Sequence, residues 1–486
     1  MLAPEALGPA RLLLAAVAEA LEGPAWLVGG AVRDALLGRP VLDLDLALPA
    51  GSVAAARRLA GRLDGAFVPL GEAHGTARVV LRQPIAASLD LTDFRGPSLE
   101  ADLRGRDVTI DGLAVAVAEL VRGPAVVVDP VGGLDDLAAR RLRACGATAF
   151  ADDALRVLRL LRLAAELGFA TDPATERLAR AAAPGLAAVA AERIRDELTR
   201  IWRCPASAPV IRQADEWGVV AVILPESGPM RAATQSAPHR FTVWEHSLRA
   251  LAALDALLGE LTLLSPHDAR VAAHLAEPLG GGWTRRDVLK VATLLHDVGK
   301  PETRRVDPDG RTRFFGHDRL GAERAAAIAG RWRWPGRATA VLERLVRQHL
   351  RPMHLAMAPE VTRRARYRFF RDLGQEVPDL VCLTIADAAG TNGRPPSAVY
   401  RGETRQLLES LLTGEVDAAR EAATPPLLRG EDVMDAFGLD PGPEVGRLLA
   451  RAREAQALGR VRTREEALDW LTALRRRDYN PGETRA

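Results

Sequence analysis

The chain has 486 residues, 65 Lys and Arg against 63 Asp and Glu, a net charge of +2, 48% apolar residues and 4% aromatic residues. That length predicts two to four domains rather than one core, and the abundance of Ala, Leu and Arg predicts a mostly helical protein with few, local strands. No window of about 18 uncharged apolar residues occurs and the first residues carry no basic run, so no membrane span and no secretory leader are expected, and a cytoplasmic location is.

Three cysteines, Cys145, Cys204 and Cys382, lie far apart without Cys-x-x-Cys spacing, which fits a reducing compartment and gives no cysteine metal site. Only two of the basic residues are lysines, Lys290 and Lys300. In a chain so rich in arginine, those two read more safely as phosphate-directed charges than any single arginine does. Between residues 137 and 212 there are 13 Arg against 8 Asp and Glu, an excess able to attract an RNA backbone. A solvated helical face is the other reading of that excess.

In chain order, the apolar spacing predicts a helix over 4–21 and a short buried strand over 25–28 that runs into Gly29-Gly30. Two glycines after a strand allow close approach to a phosphate, and the helix they open offers free N–H groups to an anion. A strand over 41–48 carries Asp43 and Asp45 at i and i+2, so both carboxylates point to one face. They repel unless a cation lies between them, and Mg²⁺ beside a triphosphate is the natural counter-ion. A helix over 52–63 and strands over 78–81 and 88–94 complete a small mixed α+β unit. In Leu89-Asp90-Leu91-Thr92-Asp93, Asp90 is the natural third carboxylate, and Asp93 falls on the opposite face.

Gly29-Gly30-Ala31-Val32-Arg33-Asp34 followed by Asp43-Leu44-Asp45 resembles the head of the class II tRNA nucleotidyltransferase and bacterial poly(A) polymerase superfamily. The resemblance implies a polymerase-β-type head with Asp43, Asp45 and Asp90 catalytic, Mg²⁺ on Asp43 and Asp45, and Gly29, Gly30 and Arg33 at the nucleotide. Asp102 to Asp111 resembles the family's Asp-Leu-x-Arg-Arg-Asp-Phe-Thr-Ile-Asn and implies that Arg106 and Asp107 hold ribose and triphosphate. Gly105, Val108 and Asp111 depart from that pattern. Asp129-Pro130-Val131-Gly132-Gly133 resembles the hinge from head to neck.

An amphipathic helix starting at Asp152 places Asp153 and Arg156 three apart on one face. Taken alone this is a surface ion pair. It also resembles the family's Glu-Asp-x-x-Arg motif, which implies a template for the base edge, with Arg159 and Arg162 as further nucleotide contacts. Ala191 to Leu198 resembles another neck motif with a structural role. Only about fifteen residues separate the Asp90 strand from Arg106, whereas family members that complete the whole CCA end commonly carry a longer flexible loop here. Addition of CC alone and full CCA addition both remain open.

Further on, an apolar helix over 288–295 ends in His296-Asp297-Val298-Gly299-Lys300, with Gly299 as its cap. With His246 and Asp387 these residues resemble the HD phosphohydrolase pattern, and His317 and His349 match the extra ligands of its dinuclear forms. Imidazole with carboxylate suits Mn, Ni, Fe, Co or Zn better than Mg. Lys300 reads as a phosphate contact, and His239 and His354 flank the site in sequence. The resemblance implies phosphatase or 2′,3′-cyclic phosphodiesterase activity.

The expected organisation is an α+β nucleotidyltransferase head over 1–145 and an all-α remainder. That remainder divides into a neck over 146–235 with the base selector and a tRNA-binding surface, an HD domain over 236–400, and a helical body and tail over 401–486, disordered from 477. The expected partners are a tRNA acceptor end, CTP and ATP, with no membrane and no obligate protein partner. A poly(A) polymerase and an HD metallophosphohydrolase with a non-catalytic RNA-binding head are the alternatives.

Overall fold

The computed structural model describes every residue outside 22, 42, 72–74, 82–86, 238, 357–360 and 480–486. The protein is 62% helix and 11% strand, an α+β head followed by helices, as its composition predicts. It divides into two compact units, Met1–Cys204 with Pro209–Pro225, and Pro205–Ala208 with Glu226–Ala486.

The first unit opens on a 3₁₀ turn, Pro4–Ala10, followed by α1 (Arg11–Ala20). The single helix expected over 4–21 is broken because Gly8 adopts φ +56 and Pro9 follows it. Then come β1 (Trp26–Val28), α2 (Gly30–Leu36), β2 (Asp43–Leu48), α3 (Ser52–Arg62), β3 (Ala66–Gly71), β4 (Thr76–Leu81), β5 (Ala87–Asp93), α4 (Leu99–Arg104), β6 (Ala114–Ala116) and β7 (Val127–Val128). The strands form one sheet in the order β3-β4-β5-β2-β1-β6-β7. β2 and β5 run parallel, and the other pairs are antiparallel.

Period-two alternation governs β2: Leu44, Leu46 and Leu48 enter the core with residues of α1 and α3 such as Leu14 and Leu59, leaving Asp43 and Asp45 on the other face. Asp93, turned away from Asp90, accepts from the Ser52 amide at the start of α3 at 2.8 Å. β6 and β7 have three and two residues, too short for alternation to reveal them.

After the head lie α5 (Leu155–Leu167) and α6 (Ala191–Arg203). The helix expected from Asp152 starts later. A short turn, Ala149–Asp152, ends at Asp153, whose backbone is extended at φ −152 and ψ 102. The Asp153 carboxylate accepts from the Leu155 amide at 3.1 Å, the local bond by which aspartate favours helix starts over helix interiors.

The second unit is built from α7 (Val243–Gly259), α8 (Arg285–Leu295), α9 (His317–Arg331), α10 (Gly336–Gln348) and α11 (Val377–Asn392), with a hairpin of β8 (Arg305–Val306) and β9 (Thr312–Arg313) between α8 and α9. Gly299 is not the cap of α8. A Cβ there would lie 2.4 Å from the His317 carbonyl oxygen and 2.6 Å from the Gly321 nitrogen, so glycine lets the His296-Asp297 turn press against α9.

Lys290 is not a phosphate contact either. It is 1% exposed, and its ammonium sits 2.9 Å from Asp255 on α7, so a buried ion pair ties α7 to α8. The last helices, Gly430–Phe437, Pro443–Ala457 and Arg464–Tyr479, enclose a small core of Val433, Leu448 and Leu471. The helix therefore runs through residues 477–479 of the expected tail, and 480–486 lie outside the described residues.

Candidate active site and metal centre

In the head, β1 delivers Gly29, which takes φ +68 before α2 begins at Gly30. A Cβ on Gly29 would meet Arg106 Nη1 at 2.8 Å, so this turn lies against the guanidinium that faces the carboxylates. Parallel pairing places Asp45 directly beside Asp90, and Asp43 beside Ser88. Asp43 accepts from the Ser88 hydroxyl at 2.6 Å.

Burial, and next the charge of Asp90, push the Asp45 carboxyl up to about 6, with Arg106 partly offsetting them. A cation at this point would relieve that repulsion, so the oxygen donors fit Mg²⁺. Both Asp90 oxygens are held by Arg78 of β4, from Nε and Nη2 at 2.7 Å each. Metal binding by Asp90 would require that guanidinium to yield.

Asp45 and Asp90 line a cleft of about 280 Å³ that also holds Arg106, Asp107, Asp153, Arg156 and Arg159, whereas Asp43 lies outside its lining. Arg159 donates to Asp107 at 2.6 Å. Burial raises the Asp107 carboxyl, but Arg159 and Arg156 outweigh it and hold the group well below the usual carboxylate range. Asp153 and Arg156 have different partners: Asp153 accepts from Arg193 at 2.7 Å, while Arg156 donates to the carbonyls of Ala149 at 2.9 Å and Gly105 at 3.0 Å. The departure at Gly105 thus leaves a backbone acceptor in use.

Two of the arginines expected at the nucleotide lie elsewhere. Arg33 is buried, donating to Asp111 at 2.6 Å and to Asp34 at 3.0 Å, and Arg162 is buried between Glu197 at 2.8 Å and Glu166 at 2.7 Å. Both are outside the cleft lining, where their charges would meet a triphosphate. Asp111 is explained in the same way, as the counter-ion of Arg33.

Arg95 and Arg193 line the cleft and were not singled out from sequence. Burial and then the neighbouring Arg106 lower the Arg95 pKa, the mark of a cation favoured by an arriving anion. Its only sequence signal is its place just after the Asp90 strand, which arginine abundance conceals.

In the second unit all six expected ligands converge. His246 of α7, His296 and Asp297 after α8, His317 opening α9, and His349 after α10 are buried. His246 Nε2 lies 3.0 Å from Asp387 of α11, and His296 Nε2 lies 3.2 Å from Asp297 Oδ2. His317 Nε2 is 3.4 Å, and His349 Nε2 3.8 Å, from Asp297 Oδ1. Asp297 therefore joins two clusters, one with His246 and His296, the other with His317 and His349.

Three rings are oriented from behind, with Nδ1 against the carbonyl oxygens of Thr293 (2.8 Å), Phe314 (2.7 Å) and Val346 (2.7 Å). Donation from Nδ1 leaves Nε2 as a lone pair. Yet His246 and His296 Nε2 face each other at 3.2 Å, and His317 and His349 Nε2 at 3.4 Å. For His317 and His349, opposed lone pairs at that distance call for a positive charge between them; His246, whose Nδ1 has no partner, can instead place its proton on Nε2 toward His296.

Burial depresses His296, but Asp297 and Asp387 outweigh it and lift the imidazole to about 10, while burial and His296 push His349 down to about 4. The cluster thus demands cationic charge, and its nitrogen and oxygen donors fit Mn, Fe, Co, Ni or Zn. Lys300 Nζ lies 2.6 Å from Asp297 and 2.7 Å from Gln235 Oε1. His239 sits edge-on to His246, with ring centres 5.3 Å apart.

The description "Poly A polymerase head domain" matches residues 25–143, "Probable RNA and SrmB- binding site of polymerase A" matches 168–229, and "HD domain" matches 243–389. An A-adding tRNA nucleotidyltransferase of Deinococcus radiodurans is 37% identical over 91% of this chain and 94% of its own. The chain belongs to the class II tRNA nucleotidyltransferase family. A CC-adding tRNA nucleotidyltransferase of Thermus thermophilus is 38% identical, over 92% of this chain and 93% of its own. The fold of this nucleotidyltransferase is also that of the Thermotoga maritima CCA-adding enzyme complexed with tRNA, with TM-score 0.55, 19% identity, and coverage of 95% and 93%. Among the described residues no helix is long and apolar enough to cross a membrane.

Proposed function

We propose that the protein extends the 3′ end of tRNA without a template, adding C and C from CTP, and that its HD centre hydrolyses phosphate esters at RNA ends. The observation that carries the first part is the register of β2 and β5, which sets Asp45 beside Asp90 on the face of an arginine-lined cleft. The tRNA 3′-oxygen bonds to the α-phosphorus of the nucleotide as the bond to the bridging oxygen breaks and pyrophosphate leaves. Two Mg²⁺ ions held by Asp43, Asp45 and Asp90 would supply the charge for activating the hydroxyl and steadying the leaving group.

Arg95 and Arg106 take the triphosphate charge that their mutual repulsion favours. Asp153 accepts and Arg156 donates, a pattern that complements the Watson–Crick edge of cytosine once Arg193 and the two carbonyls release them. The CC-only reading rests on the connection from β5 to Arg106, which is short and half of it helix α4, capped by Ser98. The relatives include both CC-adding and A-adding enzymes, so similarity alone favours neither.

The test is incorporation of each NTP, one at a time, into tRNA ending in the discriminator base, in C, or in CC. The expected result is two C on the first, one on the second and none on the third. Long A tails on any RNA would overturn the tRNA reading in favour of a poly(A) polymerase. Ready addition of A to CC-ending tRNA would overturn the CC-only part.

A further inference from the structure

The hairpin β8–β9 carries a net positive charge: Arg313 pairs with Asp307 and Arg311 lies 3.6 Å from Asp309, leaving Arg304 and Arg305 in excess. Residues 304–313 hold four arginines, Arg304, Arg305, Arg311 and Arg313, against Asp307 and Asp309, and all four arginines are exposed. The hairpin is held in place: the Thr312 amide donates to Ser236 at 2.8 Å, and Arg304 donates to Thr234 at 3.5 Å. Between those two anchor residues stands Gln235, the partner of Lys300. The next residues are Phe314, whose carbonyl fixes His317 and whose ring lies 5.4 Å from Lys300 Nζ, and Phe315, which is 72% exposed.

One exposed phenyl ring is ordinary on a protein surface. Here it stands two residues before a metal-centre histidine, no more than about 7 Å along the chain, and it is flanked by arginines, with Arg313 5.9 Å from its ring. An aromatic face beside cations is the arrangement that receives a base stacked above a phosphate backbone.

We infer that Phe315 and the hairpin arginines form a nucleoside-binding edge of the HD centre, so that its substrate is a phosphate ester at the 3′ end of an RNA chain. This rests on the hydrolase reading of that centre. For a 2′,3′-cyclic phosphate, the oxygen of water bonds to phosphorus, one P–O bond to ribose breaks, and the freed ribose oxygen takes up a proton. Phe315 takes no part in that step; it positions the ester by holding the terminal base.

The test compares ring opening of three cyclic phosphates by the full-length, Mn²⁺-loaded protein: an RNA oligonucleotide end, a mononucleotide, and the same ribose without a base. Phe315→Ala should raise KM about tenfold for the two substrates with a base, the loss expected of one stack. It should leave kcat and the base-free substrate unchanged, and Phe315→Trp should restore KM. Arg305→Ala with Arg311→Ala should raise KM for the oligonucleotide alone and flatten its salt dependence.

Equal effects of Phe315→Ala with and without a base, or no effect on either, would overturn the nucleoside edge. An arginine effect shared equally by the mononucleotide would overturn the RNA-chain assignment. A wild-type protein that opens no cyclic phosphate would refute the hydrolase reading itself.

Discussion

The head cleft and the HD centre both gather carboxylates, and they neutralise them in opposite ways. In the head three of the acids are held by arginines, Arg78 on Asp90, Arg159 on Asp107 and Arg193 on Asp153, while Asp43 and Asp45 carry no such bond among the described residues. Arginine cannot lose its proton, but it can change partners, so a set of such pairs is a site that rearranges when a triphosphate and a base arrive. In the second unit the acids face imidazoles, three of whose rings are fixed from behind, with Lys300 the one ammonium or guanidinium in contact with Asp297 among the bonds described. That is a preformed cage. The difference separates a site that must accept a large, variable polyanion from one that must hold a small ion in a fixed geometry.

The comparison breaks most severely where the cage is braced. Lys290→Met removes the cationic partner of Asp255 from the helix that delivers His296 and Asp297; the buried carboxylate then keeps only the Ser207 hydroxyl and the Ala208 amide, which should cost about 3–5 kcal/mol in urea unfolding and lower metal content. Lys290→Met with Asp255→Leu should recover most of that loss. A single variant as stable as wild type would contradict the bracing role.

In the head, Asp107 has a folded-state pKa held below its unfolded value. Its contribution is therefore present above about pH 4 and lost as pH falls through the folded value. Asp107→Asn should cost about 2 kcal/mol at pH 7, and the gap to wild type should narrow below pH 4. A gap independent of pH would show that packing, not charge, is at stake.

Arg156→Ala sharpens the contrast, because it should erode discrimination between CTP and the other nucleotides about tenfold, measured as the ratio of kcat/KM values, without touching HD hydrolysis. The smallest effect is expected from Arg78→Ala. Freeing Asp90 from a half-exposed ion pair should lower the Mg²⁺ concentration for half-maximal transfer about two- to fivefold. A rise would mean that Arg78 positions Asp90 rather than competing for it.

The head chemistry is legible in the sequence because its demands are local. A glycine turn and a period-two acid pair lie within seventeen residues of one another, and Asp90 follows from alternation on the next acidic strand. The HD ligands are legible by residue type, since histidine is scarce among arginines. What escaped detection was set over long distances or masked by composition. Arg78, Arg95 and Arg193 look like every other arginine, and Arg33 and Arg162 look like ligands until Asp111 and Glu197 are found against them. Lys290 stands out in the sequence by its rarity, but its pairing with Asp255 is hidden there because burial is not visible in a single position. The helix expected from Asp152 begins at Leu155 because the Asp153 carboxylate bonds the Leu155 amide instead of joining the turn.

The most direct test of two independent, chemically distinct centres is a paired assay of Asp43→Ala/Asp45→Ala and His296→Ala/Asp297→Ala, each measured for Mg²⁺-dependent CTP incorporation into tRNA and for tightly bound transition metal. The first variant should lose incorporation by about 10³-fold or more and keep its metal. The second should lose the metal and keep incorporation. Incorporation that survives the first pair of substitutions, or disappears with the second while the protein remains folded, would contradict the account.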